Sequence, residues 1–322
     1  MQRLLSLWAL AVLGCCAVLG ACRKEKLEDG AEKVEVPATY RLNTILFVND
    51  TLGFIAGGER YSEAGLLTTR DGGNSWMATS FPEAGKAIYG MTMSPWNHLY
   101  LVGYDAKVLT SKDMGVNWRL EQSGVWKQFM NVCFADQEHG YVTGGGGFRE
   151  GFIAELDADG KTGEVHWFNF ELNDICSTGP QTGYACGYGT VIKTTDGWQN
   201  WAFQDIRGDF FKDIHFLDAN TGYVFGYQGS IFKTDNGGEK WQRLRNGGNL
   251  TQKKMHFQAA CFLTRDEAYA VGEDGLVVHT TNGWYDLKVI KPFTSQHLRN
   301  VAYHNGYVYV VGDAGTVYRF KR

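Results

Sequence analysis

Five acidic or amide side chains recur in this 322-residue chain with the same neighbours, so their chemistry is the first question. Asp71, Asp113, Asp196, Asn236 and Asn282 each stand two positions after a Thr or Ser. In four of the copies a Trp follows five positions later: Trp76, Trp118, Trp201 and Trp241. Gly73, Gly115 and Gly238 lie between acid and Trp, and Trp198 takes that place in the Asp196 copy. Such carboxylates would suit acid–base or metal work. A turn explains them better: Asp and Asn oxygens accept backbone N–H bonds in tight turns, Gly supplies positive φ, and Trp buries a large apolar area. A motif repeated throughout the chain serves something that every repeat needs, and these acids are read as structural.

Other chemistry is poorly represented. Asp157-Ala-Asp159-Gly-Lys161 begins like a calcium loop, but Lys161 replaces a ligand and the Gly is misplaced. Gly144–Gly147 lacks the Lys-Ser/Thr of a phosphate loop, the eight His show no zinc spacing, and no Gly-x-Ser-x-Gly elbow occurs. No metal and no cofactor is expected. Cys176 and Cys186 flank a turn sequence and are the one pair that the spacing would allow to bridge; the alternative is four small core residues, Cys133, Cys176, Cys186 and Cys261.

The elements that must position these turns follow from the period. Segments such as YACGYGTVIKTTDGWQNW (184–201) and YVFGYQGSIFKTDNGGEKW (223–241) repeat about every 40 residues. Seven copies fit, the third one eroded and marked by Asp159, and the seventh ending early at Arg322. Each carries four short β-branched and aromatic runs bounded by Gly, Asn and Asp. The inner runs are Thr44–Val48, Gly90–Met93, Asn131–Ala135, Asp174–Ser177, Asp213–Leu217, Ala259–Leu263 and Asn300–Tyr303. The fold expected is all-β: a seven-bladed β-propeller of four-stranded blades over residues 34–322. Val34–Tyr40 is expected to supply the outer strand missing from the last blade, since closure removes exposed sheet edges.

These motifs resemble the Asp-box (BNR-repeat) propellers. The Thr-x-Asp-Gly-Gly-x-x-Trp form preceded by Val-Gly-x-x-Gly is most similar to the photosystem II assembly and stability factor group. The resemblance covers nearly all of the chain after the N-terminal segment. It implies an assembly factor that binds protein without catalysis, although nothing in the residues is tied to a photosystem. Leu287, in the place of a Trp, and the third repeat depart from the pattern.

The N-terminus has its own pattern. Arg3 precedes an apolar run, Leu4–Leu19, that ends in Leu-Gly-Ala-Cys22 and resembles a bacterial lipobox. Residues 1–21 are read as a signal peptide, Cys22 as the lipidated residue, and 22–33, highly charged, as a flexible tether. Lipid anchoring would place the protein in the cell envelope, on an outer membrane, facing the periplasm or the surface. The formal net charge of -4, without a basic block, argues against nucleic-acid binding.

In such a ring the loops from outer to next inner strand, and from second to third strand, share the face opposite the Asp-boxes. Partner-binding candidates on it are Arg60, Tyr61, Tyr104, Trp126, Lys127, Phe129, Arg149, Tyr188, Arg207, Phe210, Phe211, Lys212, Tyr227, His297 and Arg299. Aromatics mixed with Arg are the composition of interface hot spots. The leading expectation is a non-catalytic, monomeric scaffold for an unknown protein partner. The alternative is a glycan-binding or sialidase-like propeller, which would need converging arginines and two carboxylates about 5–10 Å apart.

Overall fold

A short inner strand followed by a fully apolar second strand is the unit from which the molecule is built. The computed structural model describes residues 24–322 apart from 82 and 138, and only the backbone of Ser80. Seven antiparallel four-stranded sheets succeed one another along the chain and close into a ring. The inner strands are Leu42–Phe47, Ile88–Met93, Phe129–Phe134, Leu172–Ser177, Phe211–Phe216, Phe257–Phe262 and Leu298–His304. Almost no helix is present.

Every inner strand starts about two residues earlier than its β-branched run suggested. The reason is a register shift repeated in all seven, as between Leu42 and Thr44 or Phe211 and Asp213. The bulge turns the first residue into the layer between blades, where Leu42, Phe129, Leu172, Phe211, Phe257 and Leu298 are completely buried. Phe129 and Phe211 are therefore core residues, and the expectation that they meet a partner is corrected.

Five of the seven second strands, among them Gly53–Gly57, Gly183–Gly187 and Ala268–Gly272, are buried along their whole length. Their recurrent Tyr and terminal Gly have separate jobs. The Tyr reaches the Asp-box turn of the next blade: Tyr100 donates to Ala158 O (2.8 Å), Tyr141 to Gly197 O (3.2 Å), Tyr184 to Gly237 O (2.8 Å) and Tyr309 to Gly72 O (3.1 Å). The last of these ties blade seven to blade one. The Gly lets two backbones meet: a Cβ on Gly187 or Gly272 would overlap the carbonyl oxygen of Glu171 or His256.

The turns between third and outer strands are braced as the motif predicted. Asp71 Oδ1 accepts the N–H groups of Asn74 (3.0 Å) and Ser75 (2.9 Å), while the Thr69 hydroxyl donates to it and accepts Gly73 N–H, both at 2.8 Å. Asp113, Asp196, Asn236 and Asn282 repeat the pattern with the N–H groups of Asn117, Asn200, Lys240 and Asp286 at 2.8–2.9 Å. The Ser75 hydroxyl and the turn N–H groups hold the Asp71 carboxyl down at about 2. In the eroded third blade Asp157, not Asp159, takes the turn N–H groups, from Asp159 and Lys161. Asp159 instead pairs with Lys112 (2.5 Å). Gly73 and Gly238 adopt φ of 89° and 84°, and Trp198 and Trp284 occupy the same place at 69° and 70°. Those two indoles are buried against Tyr141 and Phe225 of the preceding blade.

Blade seven is closed by Glu32–Lys33, paired with Arg319 and Tyr318 of the third strand, Val317–Lys321. This corrects the expected closing strand, Val34–Tyr40: only Val34 continues the ladder, through its N–H to Val317 O (3.0 Å), and the chain then crosses to the first inner strand. The expected flexible tether also differs, because from residue 24 onward it lies on the ring. Glu25 bridges Ile290 in parallel, and Leu27 and Ala31 pack into the cluster between blades six and seven. Cys22 and the signal peptide lie outside the described residues.

Candidate functional site

The inner strands enclose a central channel of about 910 Å³. Their second residues stand near its mouth on the face opposite the Asp-boxes, and several are polar. Asn43 donates across to Ile88 O and Asn173 to Phe211 O, both at 2.7 Å. Lys212 places Nζ 3.7 Å from the Phe210 ring centroid and 3.4 Å from Asn173 Oδ1. Burial pulls its ammonium down to about 8. Arg299 is held by Asp313, which Arg41 also approaches (3.3 Å), and Arg60 lines the same space near Gln128 (3.4 Å).

Around this mouth the loops carry exposed rings. Phe148 of blade three, Tyr188 of blade four and Phe210 of the following loop form a mutual cluster with centroids 5.0–5.7 Å apart. Phe148 is 51% and Tyr188 49% exposed, unusual for aromatics already in contact with one another. A second group joins Tyr61 and Tyr104, edge to face at 5.3 Å, with the Arg60 guanidinium over both rings. Trp126 stands alone, 66% exposed.

The remaining candidates are dispersed. Lys127 pairs with Glu150 (2.8 Å), the Tyr227 hydroxyl donates to Glu273 Oε2 (3.0 Å), and His297 Nδ1 accepts the Asp274 N–H (3.0 Å). Arg149 and Arg207 are exposed and do not line the channel. Of the four arginines that a sialidase-like site would gather, only Arg60 and Arg299 face it. No group of three His, Cys, Asp or Glu disposed to hold a metal ion occurs among the described residues.

Deeper in the channel lies a cluster that the sequence reading did not single out. Asp174 accepts from the Asn131 amide and from the N–H groups of Ile175 and Ile214, both 2.8 Å. Asp213 accepts the N–H of Ala260 in the next blade (2.6 Å) and faces His215 Nε2 (3.0 Å). Burial, reinforced by Asp213, raises the Asp174 carboxyl to about 7. Burial opposes charge on His215 too, but Asp213 and Asp174 outweigh it and lift the imidazole to about 9. The signal was present in the repeat: Asn131, Asp174, Asp213 and Asn300 occupy one register of the inner strands.

Residues 206–321, essentially blades five to seven, match the family described as photosynthesis system II assembly factor YCF48. Over those residues the ring is similar to the photosystem II assembly factors, and the fold as a whole is a seven-bladed β-propeller. A curated relative, the photosystem II assembly lipoprotein Ycf48 of Synechococcus sp. (strain CC9902), is 30% identical over 128 residues, 35% of this chain and 35% of that protein. The match thus spans about a third of the relative's length. A solved structure described as YCF48 bound to D1 peptide superposes with a TM-score of 0.71 at 14% identity, covering 93% of this chain and 98% of that one. A catalytically inactive virginiamycin B lyase from Staphylococcus aureus superposes with a TM-score of 0.72 at 8% identity, over 91% and 99%. At such identities the two superpositions establish the ring alone, which carries enzymes and non-enzymes alike.

The two cysteines expected to be able to bridge are both free, as are Cys133 and Cys261. The ladder explains it: Cys176 is opposite Tyr184 and Cys186 opposite Asp174, so the thiols are offset by two residues rather than facing.

Proposed function

We propose that this chain is a non-catalytic protein-binding scaffold of the cell envelope, anchored by a lipid on Cys22, that grips a segment of a partner protein on the loop face around the channel mouth. The observation that carries the reading is the Phe148–Tyr188–Phe210 cluster, its first two rings about half exposed, against Lys212 at a channel mouth that Arg60 and Arg299 also line. Rings and guanidinium groups at a rim supply apolar area with little side-chain entropy to lose. The resemblance to assembly factors, one of them solved with a peptide, agrees with a polypeptide ligand.

A glycan-active propeller is the second reading, and the Asp174–Asp213 pair is what favours it. Against it, both carboxylates are buried and spend an oxygen on a backbone N–H of the next blade. Asp174 has both oxygens engaged, Oδ1 by Asn131 and Ile175 and Oδ2 by Ile214, and is not placed to serve as a glycosidic acid or nucleophile.

Affinity purification from detergent-solubilised membranes, comparing the wild type with a Phe148→Ala/Tyr188→Ala double variant, tests the proposal. The partner should be recovered at least about tenfold less well with the variant, as for hot-spot rings. Tyr285→Ala, at an exposed ring beside the Asp-box turn of blade six, should leave recovery unchanged. Equal recovery in all three would sink the reading.

A further inference from the structure

The N-terminal strap leaves the ring at one place, and that place has a bearing on orientation. Glu25 N–H donates to Val289 O (2.9 Å) and Lys291 N–H donates to Glu25 O (2.8 Å), so the strap adds a parallel rung to the outermost strand of blade six. Leu27 and Ala31 then pack between blades six and seven with Ile290 and Phe320, Asp29 meets Lys321 (3.0 Å), and Glu32–Lys33 closes blade seven. The segment is fastened by backbone bonds, apolar contact and ion pairs before it reaches the ring proper.

We infer that the rim of blades six and seven is the membrane-facing surface of this protein, with a lipid bilayer as its partner. The inference rests on the lipidation of Cys22 in the proposed function. Two residues lie between Cys22 and Glu25, and the three residue steps from one to the other reach at most about 11 Å in extended chain. A lipid on Cys22 therefore holds the blade-six rim against the headgroups, while a free 12-residue tether would let the ring tumble. Because blades radiate from the axis, the axis then lies along the membrane plane and the channel mouth opens sideways, toward neighbouring membrane proteins. Charge favours the same face without setting it: exposed Lys24, Lys26 and Lys291 outnumber Glu28, and Lys288 is paired with Glu25 (3.2 Å). The orientation is set by the length and attachment of the strap and does not require anionic lipid.

The test uses the full-length lipidated protein in vesicles of zwitterionic lipid carrying a spin-labelled headgroup quencher. Cys186 is buried and the half-buried Cys133, Cys176 and Cys261 line the channel, away from the outer rim, so the fluorophore goes to an introduced cysteine in a background with those three replaced by alanine. A label at Lys291→Cys should lose most of its emission, and one at Glu164→Cys, on the outer strand of blade three across the ring, should keep it. Glu25→Pro removes the N–H that anchors the strap and should erase the contrast. Equal quenching at the two sites in wild-type background, with a diacylglyceryl group found on Cys22 by mass spectrometry, overturns the orientation alone. Absence of that lipid overturns the orientation and the anchoring together.

Discussion

Asp174 of the fourth blade accepts the backbone N–H of Ile214 in the fifth at 2.8 Å, so a buried carboxylate clasps two neighbouring sheets from inside the channel. Asp213 does the same for Ala260 of the sixth blade. These clasps have a pH signature. Asp174 is raised from an ordinary 3.8 to about 7, so the unfolded chain releases this proton first and stability falls as pH rises across that window. His215 is raised from 6.5 to about 9, so its contribution is complete below 6.5 and is lost as pH rises through 9. Both act in one direction. The melting temperature should decline from about pH 5 to pH 9 in scanning calorimetry, and Asp174→Asn should flatten the part between pH 4 and 7. An unchanged slope in the variant would show that the clasp is not the titrating element.

Trp284 offers a contest between two effects at one residue. Its left-handed backbone (φ 70°) costs about 1–2 kcal/mol for a residue with a Cβ. Its indole, fully buried against Phe225, is worth about 3–5 kcal/mol against truncation. Trp284→Gly restores the motif residue and relaxes the backbone, yet burial wins, and urea unfolding should show a net loss of about 2 kcal/mol. A stabilised variant would mean that the indole site collapses without cost.

Gly272→Ala should be disruptive despite its small size, because the new methyl meets the His256 carbonyl oxygen, which no rotamer change can move. Overpacking of this kind costs about 1–3 kcal/mol or more, and a denaturant midpoint near that of the wild type would contradict the close backbone approach.

The four cysteines outside the N-terminal segment, Cys186 buried and Cys133, Cys176 and Cys261 half-buried, should behave as unbridged and weakly reactive thiols. Burial pushes Cys133 up to about 12 and Cys261 to about 11, and Cys176 and Cys186 well above their ordinary range. Folded protein should react negligibly with a thiol reagent at pH 8, gain all four thiols on unfolding, and melt at the same temperature with or without reductant. A reductant-sensitive transition would reveal a bridge.

Blade number, face assignment and the role of the Asp-boxes were legible because each repeat carries its own turn chemistry, from Thr69–Asp71 to Thr280–Asn282. Features made by pairs of repeats were less so. The bulge that buries Phe129 and Phe211 leaves no local mark in the sequence that separates them from the half-buried Phe210. The closing strand was displaced from Val34–Tyr40 to Glu32–Lys33, two charged residues without strand character, because ladder bonds to Arg319 and Tyr318 decide the register there. Asp174 and Asp213 look unremarkable one repeat apart in sequence, and become clasps between blades only once the ring brings adjacent inner strands together.

Glu32 and Arg319 are joined by a side-chain hydrogen bond of 2.8 Å across 287 positions of sequence. A ribosome makes Arg319 only as the 287th residue beyond Glu32. At roughly 5–20 residues per second, the nascent protein spends tens of seconds with six sheets in succession and a seventh that cannot be completed. During that interval Glu32–Lys33 has no partner and is open to any passing strand. Whatever escorts this chain during synthesis has to shield that short strand until Val317–Lys321 is made and pairs with it.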